Sequence, residues 1–248
     1  MSSKFSWNFK GIYLSLLTII LLYLSWGLPP FNTVWHHLDE RTFLALNSWI
    51  GTSPLAQKFW AIANHRIMDF WHDIVMFTFF IVYIIKAPKS DKLHRTGQFL
   101  FTIALFAATI LLINKTLIHE NFKILRESPS LAYPDCHRLS QIIDWIYVKD
   151  YSRCSFPSDH GTTATLFTGA IFILMGWRTG MLAFCYGIFF CLPRMIVGGH
   201  WLTDVIIGSN TITLIVLSLG YFTPLCDICA RAFCKLFQLK GSYEPENL

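Results

Sequence analysis

Charge is scarce in this chain. Only 14% of its 248 residues are Asp, Glu, Lys or Arg, whereas 54% are hydrophobic; a soluble domain carries roughly a quarter charged residues. Residues 11–35, 96–114, 161–177, 179–193 and 205–226 hold no charged side chain, and 74–85 is a shorter apolar run. A helix crosses the bilayer core with about 20 residues. The expected fold class is therefore all-α integral membrane, with six transmembrane helices.

Other features are missing too. No internal repeat or low-complexity tract is present, which points to one membrane domain over residues 1–248. No continuous basic, aromatic-interleaved face is visible, which excludes nucleic acid as a partner. The first apolar run follows Lys4 and Lys10 as a signal peptide would, but Ser25-Trp26-Gly27-Leu28-Pro29-Pro30 lacks a small-residue cleavage site. It is expected to be a retained anchor.

Six spans put both termini on one side. With both inside, the inner segments hold ten of the 20 basic residues and four of the 15 acids in much shorter stretches, so basic density favours cytoplasmic termini. The outer segments are then about 30–72, 114–160 and 194–204. The expected division is a periplasmic interfacial segment at 30–70, a six-span core at 70–225 and a cytoplasmic tail at 226–248. Leu38, Phe43, Leu46 and Trp49 recur at helical spacing, and Leu139, Ile142, Ile143 and Ile146 make a similar stripe. Helices lying at the outer headgroup level suit both patterns; simple packing on the ends of the spans suits them equally.

Of seven cysteines, Cys136 and Cys154 share one outer segment and form a candidate disulfide, closing a loop of about 18 residues. Cys226 and Cys229 make a single C-x-x-C, weak grounds for a metal.

What charge remains near the apolar runs is concentrated in two blocks, F-P-S-D-H-G at 156–161 and R-M-I-V-G-G-H-W-L-T-D at 194–204. In the first, Ser158 or Asp159 caps a helix start whose unpaired N–H groups attract phosphate. His160 stands beside it with a pKa suited to protonating a leaving oxygen. In the second, His200 and Asp204 are four apart and share a helix face if the last span begins near 200. The carboxylate then orients the imidazole for attack, and Arg194 offers a planar fork that matches phosphate. Each block alone also reads as a capped helix end; both fall on the same expected face. Two His and an Asp also suit zinc, but the serine and arginines around them favour an anion, so neither metal nor cofactor is expected. A third patch, Lys123-Ile124-Leu125-Arg126-Glu127-Ser128-Pro129, offers Lys123 and Arg126 as further phosphate ligands. Asn64, Arg66 and Asp69 precede the second span as candidate headgroup contacts.

The residues R-E-S-P, F-P-S-D-H-G and P-R-M-I-V-G-G-H-W-L-T-D-V-I-I-G resemble the type 2 phosphatidic acid phosphatase superfamily, with its K-x6-R-P, P-S-G-H and S-R-x5-H-x3-D signatures. The detail is similar to the lipid A 1-phosphate phosphotransferase branch of Gram-negative inner membranes, including the N-x-R-x-x-D element at 64–69. The resemblance implies that His200 forms a phosphohistidine held by Asp204, with His160 as acid. Arg126, Arg194 and Ser158 then bind the phosphoryl oxygens. It further implies a polyprenyl (undecaprenyl) diphosphate donor, lipid A 1-phosphate or another phospholipid as acceptor, a bilayer setting and an active site facing the periplasm. A lipid phosphatase acting on undecaprenyl diphosphate or phosphatidylglycerol phosphate shares the first half-reaction, and a non-catalytic lipid-phosphate binder remains a third reading. The chain departs from the pattern in three places. His119 stands where the motif-one lysine belongs, leaving Lys123 or Lys115 as substitutes. Pro129 does not directly follow Arg126. Asp159 replaces a glycine beside the phosphate site.

Overall fold

The computed structural model describes residues 6–122 and 124–241, and the side chains of all of these but 238–241. Lys4, Lys123 and the end of the expected tail, 242–248, lie outside the described residues. Every regular element among those described is helical.

Helix α1 (Phe9–Gly27) is capped by Asn8, whose side chain accepts from Gly11 N at 2.9 Å. It ends at Gly27 rather than running to 35, because Pro29 and Pro30 offer no N–H to continue the ladder. Helix α2 (Phe31–Asn47) follows, then α3 (Pro54–Ala63), started by the Ser53 cap and Pro54. Helix α4 (Arg66–Ile85) begins a turn earlier than expected, so Arg66 and Asp69 lie in its first turn rather than before it. Helix α5 (Lys92–Ala108) continues without a break into a π-helical stretch, Thr109–Phe122. Two single turns, α6 (Pro129–Ala132) and α7 (Leu139–Ile142), punctuate an otherwise irregular segment. Helices α8 (Asp159–Met175) and α9 (Trp177–Ile196) form a hairpin. A second π-helical stretch, Asp204–Ser209, leads into α10 (Asn210–Tyr221), and α11 (Leu225–Gly241) closes the chain.

Five helices are long and apolar enough to cross a membrane: Phe9–Gly27, Arg66–Ile85, Lys92–Phe122, Trp177–Ile196 and Asp204–Tyr221. The remaining expected crossing, α8, has 17 residues, about 26 Å at 1.5 Å per residue. Among its side chains only Ile173 is exposed. Leu166, Phe167, Ala170 and Ile171 are fully buried on different faces, packing against α4 and α9 on one side and α10 on the other. A helix covered all round needs no polar face.

The α8–α9 hairpin turns on Gly176 (φ +78°, ψ −176°), a backbone conformation essentially restricted to glycine. Helix α11 seats on α5, where a Cβ on Gly97 would meet the Ala230 backbone at 2.8 Å. Asp227 there pairs with His94 at 2.9 Å and Arg231 at 2.8 Å.

The expected stripe along α2 is turned. The buried positions are Asp39, Phe43 and Asn47, at i, i+4 and i+8, while Leu38 and Trp49 are exposed. Asn47 explains part of this. Its amide donates to the His137 and Ile196 carbonyls, both at 3.0 Å, and its Oδ1 accepts from His137 N at 2.8 Å. The second stripe is helical only over Leu139–Ile142. Leu139 and Ile143 turn inward onto Ile50, Ala61, Ile196 and Val197 instead of facing a membrane surface.

The candidate disulfide is absent: Cys136 and Cys154 are both free thiols. Cys136 sits in the turn after α6 with Sγ 4.0 Å from the Ser130 carbonyl, whereas Cys154 is held at its backbone beside Arg126. Burial, assisted by the Asp150 charge, raises the Cys136 thiol pKa above its usual range.

Candidate active site

One cavity of about 640 Å³ opens at the end of the bundle where α4 and α8 begin and α9 ends. His160, Arg194 and His200 all line it, together with Asp69, Asn64, Arg66 and Asp159. Side chains from both sequence blocks thus meet in one place, although 32 residues separate the end of one from the start of the other.

His160 is placed by the start of α8. Ser158 is the N-cap, its Oγ accepting from Gly161 N at 3.1 Å. Ser158 itself is almost wholly buried and does not line the cavity; its hydroxyl serves the cap, not a ligand. Asp159 does face the cavity, held by Asn114 Nδ2 at 3.0 Å.

Arg194 is placed by the last turn of α9. Gly198 N donates to the Met195 carbonyl at 3.1 Å and Gly199 N to the Arg194 carbonyl at 2.9 Å, the paired bonds of a Schellman ending. Gly198 has φ +82°, and a Cβ there would press on Phe43 and Ser130 at 2.9 Å. The guanidinium is fully engaged. Nε donates to His160 Nε2 at 3.1 Å, Nη1 to the Asn64 carbonyl and to Asn64 Oδ1 at 2.6 Å, and Nη2 to both Asp69 oxygens at 3.1 and 3.3 Å. Asn64 and Asp69, expected as headgroup contacts, are instead the holders of Arg194.

An arginine nitrogen can only donate, so His160 Nε2 presents its lone pair to Arg194. The same atom lies 3.3 Å from Asp69 Oδ1. A protonated Nε2 loses the arginine bond and gains the carboxylate, so His160 has a partner in either state.

His200 lies in the turn before the last span, not on a helix face with Asp204. Its Nδ1 donates to the Ser155 carbonyl at 2.8 Å, while Asp204 Oδ2 is 3.7 Å away. In the neutral ring that bond fixes the tautomer and places the lone pair on Nε2. The carbonyl is aimed by a short parallel pairing of two irregular segments: Arg126 N donates to the Arg153 carbonyl at 3.1 Å and Ser155 N to the Arg126 carbonyl at 2.9 Å.

Arg126 is placed differently from expectation. It does not line the cavity. Its Nη1 donates to Asp204 Oδ1, and its Nη2 to Asp39 Oδ2 at 2.8 Å. Both carboxylates are buried, and an unpaired buried charge is strongly unfavourable. The guanidinium also lies near the Trp26 and Trp201 rings, at 5.7 and 5.6 Å. Asp204 is completed by Trp201 N at 2.8 Å, and Asp39 by Thr203 N at 2.8 Å and Thr203 Oγ1 at 2.6 Å.

Asp39, Ser155, Lys149 and His119 were not singled out as site residues. Asp39 is buried on one helical face with Phe43 and Asn47, off the apolar stripe that residue type alone marks along this segment. The Ser155 contribution is a backbone carbonyl and leaves no trace in residue type. Lys149 and His119 line the cavity from the irregular segment and the π-helical stretch. Lys115, the other candidate for the missing lysine, does not line it.

The PAP2 superfamily profile matches residues 101–223. Lipid A 1-diphosphate synthase of Escherichia coli (strain K12) is 30% identical over 238 residues, spanning 95% of this chain and 97% of the relative. The chain belongs to the PAP2 superfamily. No solved structure gives a significant match. With five helices able to cross a bilayer and a lipid-modifying relative matched along nearly its whole length, this PAP2 chain is an enzyme of the phosphotransferase or phosphatase type.

Proposed function

We propose that the chain transfers a phosphoryl group from a polyprenyl diphosphate, such as undecaprenyl diphosphate, to the 1-phosphate of lipid A. One observation carries this reading: His200, its Nδ1 held by the Ser155 carbonyl, shares a cavity with His160 and Arg194. The full-length likeness to lipid A 1-diphosphate synthase supports lipid A as the acceptor.

In this reading His200 Nε2 attacks the terminal phosphorus of the donor. The bond from that phosphorus to the bridging oxygen breaks, and polyprenyl phosphate leaves with a proton from His160. A phosphate oxygen of the acceptor then attacks the phosphohistidine, restoring His200 and forming a diphosphate. Arg194, held by Asn64 and Asp69, and the α8 N-terminal N–H groups stabilise charge on the transferring oxygens. Arg126 acts through Asp204 and not by touching phosphate. Positioning and fixed charge supply most of such catalysis, and the built-in cations remove the need for a metal.

The proposed setting is a bacterial inner membrane crossed six times, α8 being the enclosed sixth crossing. Both termini are then cytoplasmic, α2 and α3 lie at the periplasmic interface, and the cavity faces the periplasm. Basic density in the inner segments supports that orientation.

The test gives purified protein a donor labelled in its terminal phosphate, with and without lipid A. Labelled lipid A and an acid-labile phosphate on His200 are expected. Equal free phosphate in both arms with no labelled lipid A makes the chain a lipid phosphatase instead; no labelled protein at all rejects the phosphohistidine.

A further inference from the structure

The cavity is larger than one phosphoryl group needs, and its cations are unequally committed. Arg194 has every nitrogen engaged, and Arg126 lies behind the wall, spent on two carboxylates. Two other cations do face the space. Arg66 is the first residue of α4 and Lys149 lies on the irregular segment; both line the cavity and both are exposed. Among the described residues, neither side chain has a hydrogen-bond or ion-pair partner.

Their positions are tied to the catalytic end through one residue. Asn64, which holds Arg194, also donates from Nδ2 to the Lys149 carbonyl at 3.2 Å, and Arg66 follows two residues later, within electrostatic reach of Arg194. Both cations therefore line the cavity from segments that Asn64 joins to Arg194. A third group points to an absent partner. His119 lines the same cavity, yet its Nε2 is buried with no hydrogen bond. Buried polar atoms left unpaired are uncommon, and a ligand oxygen would complete this one.

We propose that Arg66 and Lys149 form a second phosphate subsite, holding the phosphate that is not transferred, with His119 Nε2 hydrogen-bonding the same group. The subsite makes the cavity selective for diphosphates over monophosphates. It rests on the phosphoryl-transfer reading and adds the substrate class that this end of the cavity recognises. The chemistry fits: a diphosphate carries charge on two adjacent groups, and a guanidinium beside an ammonium matches the second, while the first meets the charge of Arg194 and the helix start.

The test uses full-length protein in detergent and two ligands that cannot be turned over, methylenediphosphonate and methylphosphonate, with binding read by calorimetry. The wild type is expected to bind the diphosphonate at least about tenfold more tightly. In Arg66→Gln/Lys149→Gln that preference disappears, while methylphosphonate affinity stays within about threefold, which also reports an intact fold. Arg66→Lys/Lys149→Arg keeps the preference. A wild type that does not discriminate overturns the proposal. So does a double variant that keeps the preference, or one that loses both ligands equally. Because no turnover is involved, failure of phosphohistidine formation leaves this result standing on its own, and the two failures are distinguishable.

Discussion

His200 turns Nδ1 onto the backbone carbonyl of Ser155 at 2.8 Å, and the Asp204 carboxylate stands off at 3.7 Å. The neutral ring's tautomer is therefore set by main chain, and Asp204 spends itself on Arg126 and Trp201 N.

That division separates the two residues by experiment. His200→Ala removes the nucleophile and is expected to abolish acid-labile phosphoprotein, with transfer falling at least about a thousandfold. Asp204→Ala leaves Arg126 in a buried setting with one carboxylate fewer, at a cost of about 3–5 kcal/mol. Its main effect is expected in the detergent thermal melt. An Asp204→Ala protein that melts with the wild type while losing all activity contradicts the assignment.

Asp69→Asn and Asn64→Ala free Arg194 from its two holders. Activity is expected to fall about a hundredfold or more in each, by analogy with loss of one preorganised charge-stabilising group. The fall should appear in kcat more than in KM, since the arginine remains present but misaimed. Steady-state kinetics on the labelled donor checks the split.

Gly198→Ala places a side chain at φ +82° and drives a Cβ toward Phe43 and Ser130 at 2.9 Å. Backbone strain alone costs about 1–3 kcal/mol. A lowered melting temperature is expected together with loss of phosphoprotein, because the same turn carries both Arg194 and His200. Gly27→Ala, where a new Cβ meets nothing within 4 Å, is the matched control.

Cys136 and Cys154 are expected to alkylate in the native protein, with no mass change on reduction. Burial raises the Cys136 pKa, so less reactive thiolate exists near neutral pH than for an ordinary cysteine. Its alkylation rate should keep climbing at pH values where an ordinary thiol has levelled off, and denaturation should bring the rate to the ordinary profile. Cys154 lines the cavity, so methylenediphosphonate should slow its labelling and leave Cys136 untouched.

Much of this molecule is written locally. Long stretches without charge can only be buried or face lipid, so the apolar helices are legible from composition. The capping serine at 158, the glycines at 198 and 199 and the two histidines carry their chemistry in residue type, so their meeting in one cavity could be anticipated. The partner of each buried charge could not. Arg126 faces Asp39 across 87 positions and Asp204 across 78, and nothing in either neighbourhood encodes which cation a buried carboxylate finds.

The sequence by itself determined the helical membrane class, the family and the candidate imidazoles, because periodicity, apolar length and side-chain chemistry are properties of a residue and its near neighbours. Only the tertiary structure decided that Arg126 neutralises instead of binding, that a main-chain carbonyl holds His200, and that Arg66 and Lys149 face the cavity with no side-chain partner among the described residues. Those outcomes depend on distances between segments far apart in the chain, and packing sets such distances.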